Sequence, residues 1–193
     1  MGTARTTIQS LINSLPTVFP DNNVGQITPQ VLRDYFNQVL QSLFLPDARI
    51  LNATPPIAVP LTPTFTAMPL ALWGTAAFDA SGDVSSSVST GRCTCSPTVS
   101  GLSYISGAQI TGEGPVNTQF DFAIGVNGAV PTVVLGSLTT DGAGRDVNVE
   151  LSTIFNSLNA NDYLQLYGRA PSGNATFTIS YCRFNLVGFH TWD

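Results

Sequence analysis

Apolar residues recur with sustained helical spacing near the start of the chain. Ile8, Leu11, Ile12 and Leu15 follow one another at steps of three and four, after the candidate caps Thr6 and Thr7 and before Pro16, which predicts a short amphipathic helix. A turn-rich stretch runs from Pro20 to Gly25, and Thr28 and Pro29 then stand as an N-cap and a first-turn proline. The cap satisfies a free N–H and the proline pre-sets φ, so a second helix is expected from there to about Leu45, stopped by Pro46. Val31, Leu32, Tyr35, Phe36, Val39, Leu40 and Leu43 form its apolar stripe, with Arg33, Asp34, Asn37, Gln38 and Gln41 on the other face. The stripe suits packing within the chain, as amphipathic helices commonly do. It also suits an oligomer interface. A helix of about 15 residues is ~22 Å long, and the four apolar positions of the first helix are too few to cover all seven of the second.

From Asn52 to Leu70 the pattern changes, with Pro55, Pro56, Pro60, Pro63 and Pro69 interleaved among Ala, Thr, Val and Ile. Proline at this density predicts an extended connector, rising ~3.1 Å per residue and able to span ~50 Å. Ile57, Val59, Leu61 and Phe65 are more apolar than a free linker requires. They mark the connector as a strap docked along a surface, or else as an edge strand feeding the next domain.

Beyond residue 70 the period shifts towards two. Strands are expected near Leu70 to Phe78, Arg92 to Ser100, Gly101 to Ile110, Phe120 to Val126, Thr132 to Leu138, Asp146 to Leu151, Tyr163 to Gly168 and Ala175 to Phe189. Asn127-Gly128 signals a hairpin, Asp141 to Gly144 a turn and Pro171 to Asn174 a loop. Phe120, Phe122, Ile124 and Val126 share one face of their strand; Phe177, Ile179 and Tyr181 share one face of theirs. Eight strands with these turns predict two packed antiparallel sheets. The expected fold is mainly β: a helical segment over 1–50 for anchoring and trimerisation, a proline-rich connector over 51–70 and a β-sandwich over 71–193.

Composition narrows the function. Charged residues make up 10% of the chain against 43% hydrophobic, the net charge is −5, and all seven basic residues are arginines. Without a basic cluster no nucleic-acid partner is expected, because phosphate affinity comes mainly from Lys and Arg. No apolar run approaches the ~20 residues that span a bilayer, and the first ten residues lack the basic start and apolar centre of a secretory leader. A soluble protein that is not exported by that route, with no membrane partner, is expected.

Catalytic groups are scarce. His190 is the one histidine, and it stands between Phe189 and Trp192 near the end of the chain, where a packing cluster is the simpler reading. Glu113, Asp121, Asp141, Asp146, Glu150 and Asp162 include conceivable carboxylate pairs for glycoside hydrolysis, but most stand in turn contexts that use Asp for backbone hydrogen bonds. Cys93, Cys95 and Cys182 lack the paired spacing of structural zinc. Buried free thiols are the first reading, and one disulfide from Cys182 to Cys93 or Cys95 the second. The turn from Asp141 to Asp146 lacks the ligand spacing of a calcium loop. No catalytic residue, metal or cofactor is expected. The polar loops Ser81 to Thr90 and Thr111 to Thr118 are either solvated tips or contacts for a glycan.

Two segments resemble known viral parts. Ile8 to Gln41, with Asn22-Asn23-Val24-Gly25-Gln26-Ile27-Thr28-Pro29 leading into Val31-Leu32-Arg33-Asp34-Tyr35-Phe36, is similar to the N-terminal segment of many bacteriophage tail-fibre, spike and head-decoration proteins. Phe122 to Gly128, Asn161 to Leu166 and Ala175 to Asn185 resemble the tumour-necrosis-factor-like jelly-roll found on phage fibres and capsid surfaces. One departure is Leu151 to Leu158, where Ile154, Phe155 and Leu158 carry the spacing of a helical turn. The resemblance implies a homotrimeric virion component assembled in the host cytoplasm. It would be a capsid-decoration or head-fibre protein that docks on other virion proteins and displays a knob. A short tail fibre that binds a host surface glycan is the alternative, and a depolymerase a third.

Overall fold

In the computed structural model, residues 47–53, 56–79, 84–95, 102–141 and 145–189 are described. The two helices expected at the N-terminus, with the stripe Val31, Leu32, Tyr35, Phe36, Val39, Leu40 and Leu43, lie outside these residues, as do His190 and Trp192. The strands are β1 (Asp47–Asn52), β2 (Ile57–Leu61), β3 (Thr66–Ala67), β4 (Trp73–Asp79), β5 (Ser85–Ser87), β6 (Arg92–Thr94), β7 (Leu102–Glu113), β8 (Gln119–Val126), β9 (Gly136–Thr139), β10 (Val147–Leu158), β11 (Tyr163–Arg169) and β12 (Ala175–Phe189).

They form two antiparallel sheets. The first has the order β10-β7-β12-β1-β4, with β2 also paired to the start of β12; the second runs β5-β6-β11-β8-β9, with β3 also paired to β11. Between them lies one continuous core, centred on Tyr104, Phe120, Phe122, Phe177 and Phe184, all fully buried. Phe177 joins the sheets by packing on Phe120 and Phe122 at centroid distances of 4.8 and 6.0 Å. Aromatic pairs in such tilted and edge arrangements add to the stabilisation from burial alone.

The sequence pattern holds in β8, where Phe120, Phe122 and Ile124 all face the core. In β12 it holds only for Phe177 and Ile179. An extra residue sits between Ile179, opposite Gly112, and Tyr181, opposite Thr111. This bulge reverses the alternation, so Cys182, Phe184 and Leu186 point inward while Tyr181 turns outward with 38% of its surface exposed.

The segment Leu151 to Leu158 is strand rather than helical turn. It continues β10 in register with β7 from Val147 opposite Gly112 to Phe155 opposite Tyr104, and a bulge then brings Leu158 opposite Leu102. That bulge, where Ser157 has φ of 56°, supplies the odd spacing that resembles a helix. The expected strand at Thr132 to Leu138 shrinks to Gly136–Thr139, and the one at Leu70 starts only at Trp73, after a 3₁₀ turn over Leu70–Leu72.

The prolines mislead most. β1, at the end of the expected helical segment, occupies the interior of the first sheet between β12 and β4, with Ala48 and Ile50 fully buried. Ile57, Val59 and Leu61, expected on a docking strap or else on an edge strand, lie on the peripheral strand β2 and pack in this chain's own core. Phe65 crosses to the outward side of the second sheet and packs with Ala123, Tyr167 and Val134. These four apolar residues are therefore covered by their own chain. Proline fits because each strand is short and bordered: Pro60 opposes Thr176 near one end of β12, and Pro69 immediately precedes the 3₁₀ turn.

Candidate functional site

The first sheet has an inward face that builds the core and an outward face that no described element covers. Strand alternation places Tyr104, Ala108 and Ile110 of β7 inward and Ile105 and Gln109 outward. The same rule puts Val149 and Leu151 of β10 inward and Glu150, Ser152 and Ile154 outward. On β12, beyond the bulge, Arg183, Asn185 and Val187 point outward.

The register aligns these side chains into cross-strand rows. Ile154, Ile105 and Val187 stand side by side across β10, β7 and β12. The next outward row is Ser152, Gly107 and Asn185, extended by Arg49 on β1. The one after is Glu150, Gln109 and Arg183, extended by Leu51. Ile154 is 58% exposed and Ile105 40%, so adjacent β-branched side chains meet water. Gly107 leaves a depression of about 290 Å³ above the sheet, walled by Ile105, Gln109, Glu150, Ser152, Arg183 and Asn185.

A second apolar surface lies at the edge of the sandwich. The first residue of β9, Gly136, packs against Val149 and Leu151. Thr153 and Phe155 lie farther along β10, past the start of β9, and face the β8–β9 loop. There a groove of about 410 Å³ is lined by Ile124, Val126, Leu135 and Phe155, with the exposed Val130 and Val133 on its rim.

The outward side of the second sheet is closed instead. Asp121 on β8 is 1% exposed. Its Oδ1 accepts from Ser137 Oγ at 2.6 Å and Gln119 Nε2 at 2.7 Å, while Oδ2 accepts from Arg169 Nε at 2.9 Å and pairs with Arg169 NH2 at 2.8 Å. The Arg169 guanidinium also lies 4.6 Å over the Phe65 ring. Burial by itself would raise the Asp121 pKa, but the hydrogen bonds from Ser137, Gln119 and Arg169, with the arginine charge, outweigh it and hold the carboxyl below its ordinary range.

Among the described residues the carboxylates do not converge. Asp162 accepts from Asn127 Nδ2 and from the Asn159 backbone, both at 2.7 Å, and Asp146 from Ser180 Oγ at 3.2 Å. Asp141 pairs with Arg145 at 3.4 Å in an exposed turn. Among the described residues no group of three or more His, Cys, Asp or Glu could hold a metal. Cys93, Cys95 and Cys182 are buried thiols that are not joined in a disulfide. Burial, reinforced by the Asp162 charge, pushes the Cys95 thiol up to about 12, and burial pushes Cys182 up as well. The loop that ends at Thr118 is pinned rather than free: Thr140, itself buried, shares its hydroxyl between the Pro115 and Thr118 carbonyls, and the Asn117 N–H donates to the Thr140 carbonyl at 2.7 Å.

Two six-stranded layers, with β12, β7 and β10 adjacent in one and β11, β8 and β9 adjacent in the other, form an antiparallel sandwich also found in proteins of very different sequence. The Eiger TNF structure from S. frugiperda matches with a TM-score of 0.52 at 13% identity, covering 77% of this chain and 95% of that one. The fold is a TNF/C1q-like jelly-roll. Murine APRIL matches with a TM-score of 0.51 at 11% identity over 76% of this chain and 100% of its own. The globular domain of zebrafish complement 1qA matches at 0.50 and 19% over 75% and 96%. No family model and no curated protein matches the chain. At these identities the jelly-roll is common ground and the function is not, because one fold hosts many functions.

The sequence pattern missed the outward rows. Alternation identifies which residues share a face of one strand, but the β12 bulge and the pairing of three distant strands decide which residues become neighbours.

Proposed function

We propose that this chain is a non-enzymatic, homotrimeric structural protein of a phage virion, of the capsid-decoration or head-fibre type. Its N-terminal part docks on the particle, and the jelly-roll stands out as a knob. The reading is carried by the presence of two different unpaired apolar surfaces on one jelly-roll: the Ile154–Ile105–Val187 row and the groove rimmed by Val130 and Val133. Two unlike surfaces suit head-to-tail contact, which closes into a ring when the rotation allows it. The edge of one copy then covers the sheet face of the next. The phage-fibre-like sequence between Ile8 and Gln41 supports a virion setting, and the scarcity of convergent ionisable groups supports a role in binding rather than catalysis.

Light scattering on the full chain at micromolar concentration should give three times the chain mass of 20.4 kDa. Ile154→Asp should lower the assembled fraction, since it places a charge where an apolar contact is proposed. A monomeric wild-type mass overturns the trimer. For the setting, labelled antibody should mark the heads of particles, and label confined to tails overturns the decoration role in favour of a tail fibre.

A further inference from the structure

The outward face carries opposite charges that have no ion-pair partner among the described residues. Arg183 on β12 is half-buried, and its Nε is shielded from water with no hydrogen-bond acceptor among the described residues. Glu150 on β10 is exposed and forms no ion pair among them. Both stand opposite Gln109 of the intervening β7. One strand between them sets their backbones about 9–10 Å apart at the usual spacing of 4.7–4.9 Å per strand, and no pair forms across that gap.

We infer that Glu150 of one copy pairs with Arg183 of the next, fixing the register of the assembly. The inference rests on the trimer proposed above. A rotation about an axis running along the strands leaves the height of every residue unchanged. Residues of one cross-strand row therefore meet residues of the same row in the next copy. The Ile154 row meets the Val130–Val133 edge of the next copy, whose groove lies at the level of Thr153 and Phe155, and four residues along β10 Glu150 arrives at the level of Arg183. The placement also suits contact of edge on face, because β10 is the outer strand of its sheet and β12 lies inside it. Between the two rows Gly107 presents no side chain, and the depression above it gives a neighbouring strand room to approach.

The charges add direction to the contact. Shifting one copy by two residues along the strands places Glu150 at the level of the Ser152–Gly107–Asn185–Arg49 row and Arg183 at the level of the neutral Asn148, so Arg183 loses its carboxylate partner. A desolvated charge left unpaired is costly, and such pairs select one arrangement over its alternatives.

The full-length E150C/R183C double variant tests this by oxidative cross-linking. The two positions are too far apart within one chain for a disulfide, whose Cα atoms must lie within ~7 Å. The native cysteines are buried and should take no part. Oxidation should yield covalent trimers that return to single chains on reduction, whereas E150C alone or R183C alone cannot link beyond a dimer. A second measurement uses charge exchange: E150R and R183E should each raise the concentration for half-assembly by about tenfold or more, and E150R/R183E should recover most of that loss. If wild type is monomeric, the trimer itself fails. If wild type is trimeric but the double cysteine variant gives no cross-linked species, or charge reversal is not repaired by the exchange, the pairing fails and the trimer stands.

Discussion

Replacing Asp121 with alanine removes an acceptor that joins three strands, and the structure bounds the cost. Four contacts converge on one carboxylate, from Ser137 on β9, Gln119 on β8 and two nitrogens of Arg169 on β11. Ser137 and Gln119 are exposed, so each recovers water and loses about 0.5–1 kcal/mol. The arginine contacts are charge-assisted and would ordinarily be worth about 1.5–3 kcal/mol each. The Arg169 side chain is 31% exposed, however, and rehydrates in part once its partner is gone. The total comes to about 3 kcal/mol, at the lower end of what breaking a buried pair costs. With an m value of about 2 kcal/mol/M, the urea midpoint falls by about 1.5 M at pH 7 and constant protein concentration. Asp121→Asn, which keeps the shape and one acceptor, should lose about 2 kcal/mol.

The pH dependence gives an independent check. A carboxyl whose folded pKa is depressed contributes stability that is fully present above its unfolded value, near 3.9, and is lost as pH falls through the folded value. The gap between wild type and Asp121→Ala should therefore be constant at neutral pH and narrow below pH ~4. A midpoint shift under about 0.3 M at pH 7, or a gap that widens on acidification, refutes this account of the network.

The remaining expectations concern accessibility and packing. Cys93, Cys95 and Cys182 should resist a thiol reagent in the native protein at pH 8 and react together on unfolding, because all three are buried and Cys95 titrates only at about 12; rapid labelling of the folded chain contradicts it. Gly125→Ala would set a methyl group 2.4 Å from the Ala129 carbonyl and 2.7 Å from the Tyr167 ring. It should cost about 1–3 kcal/mol in thermal or urea unfolding, and a neutral result would show that the β8–β9 loop shifts freely.

Part of this architecture is legible without coordinates. The change from helical spacing to alternation, the Asn127-Gly128 turn and the apolar face of β8 fix an antiparallel β region, because strand pleat and turn chemistry are local properties. The proline-rich segment is where local reasoning stops. Proline forbids one backbone donor, but whether the extended chain runs free or joins a sheet depends on a distant partner, here β12 for Ile57–Leu61. Phe65 reads as a strap residue in sequence, yet its cover is Ala123, Val134 and Tyr167, more than 50 positions away.

The candidate site divides in the same way. The sequence by itself determined which kinds of residue were available: few charges, no lysine, scattered carboxylates and one histidine. Only the tertiary structure decided that Ile154, Ile105 and Val187 form one row and that Glu150 and Arg183 share another. Each row draws on three strands far apart in the chain, and a bulge of one residue in β12 chose which side chains face out. Pairing register is a property of the assembled sheet, and no single strand encodes it.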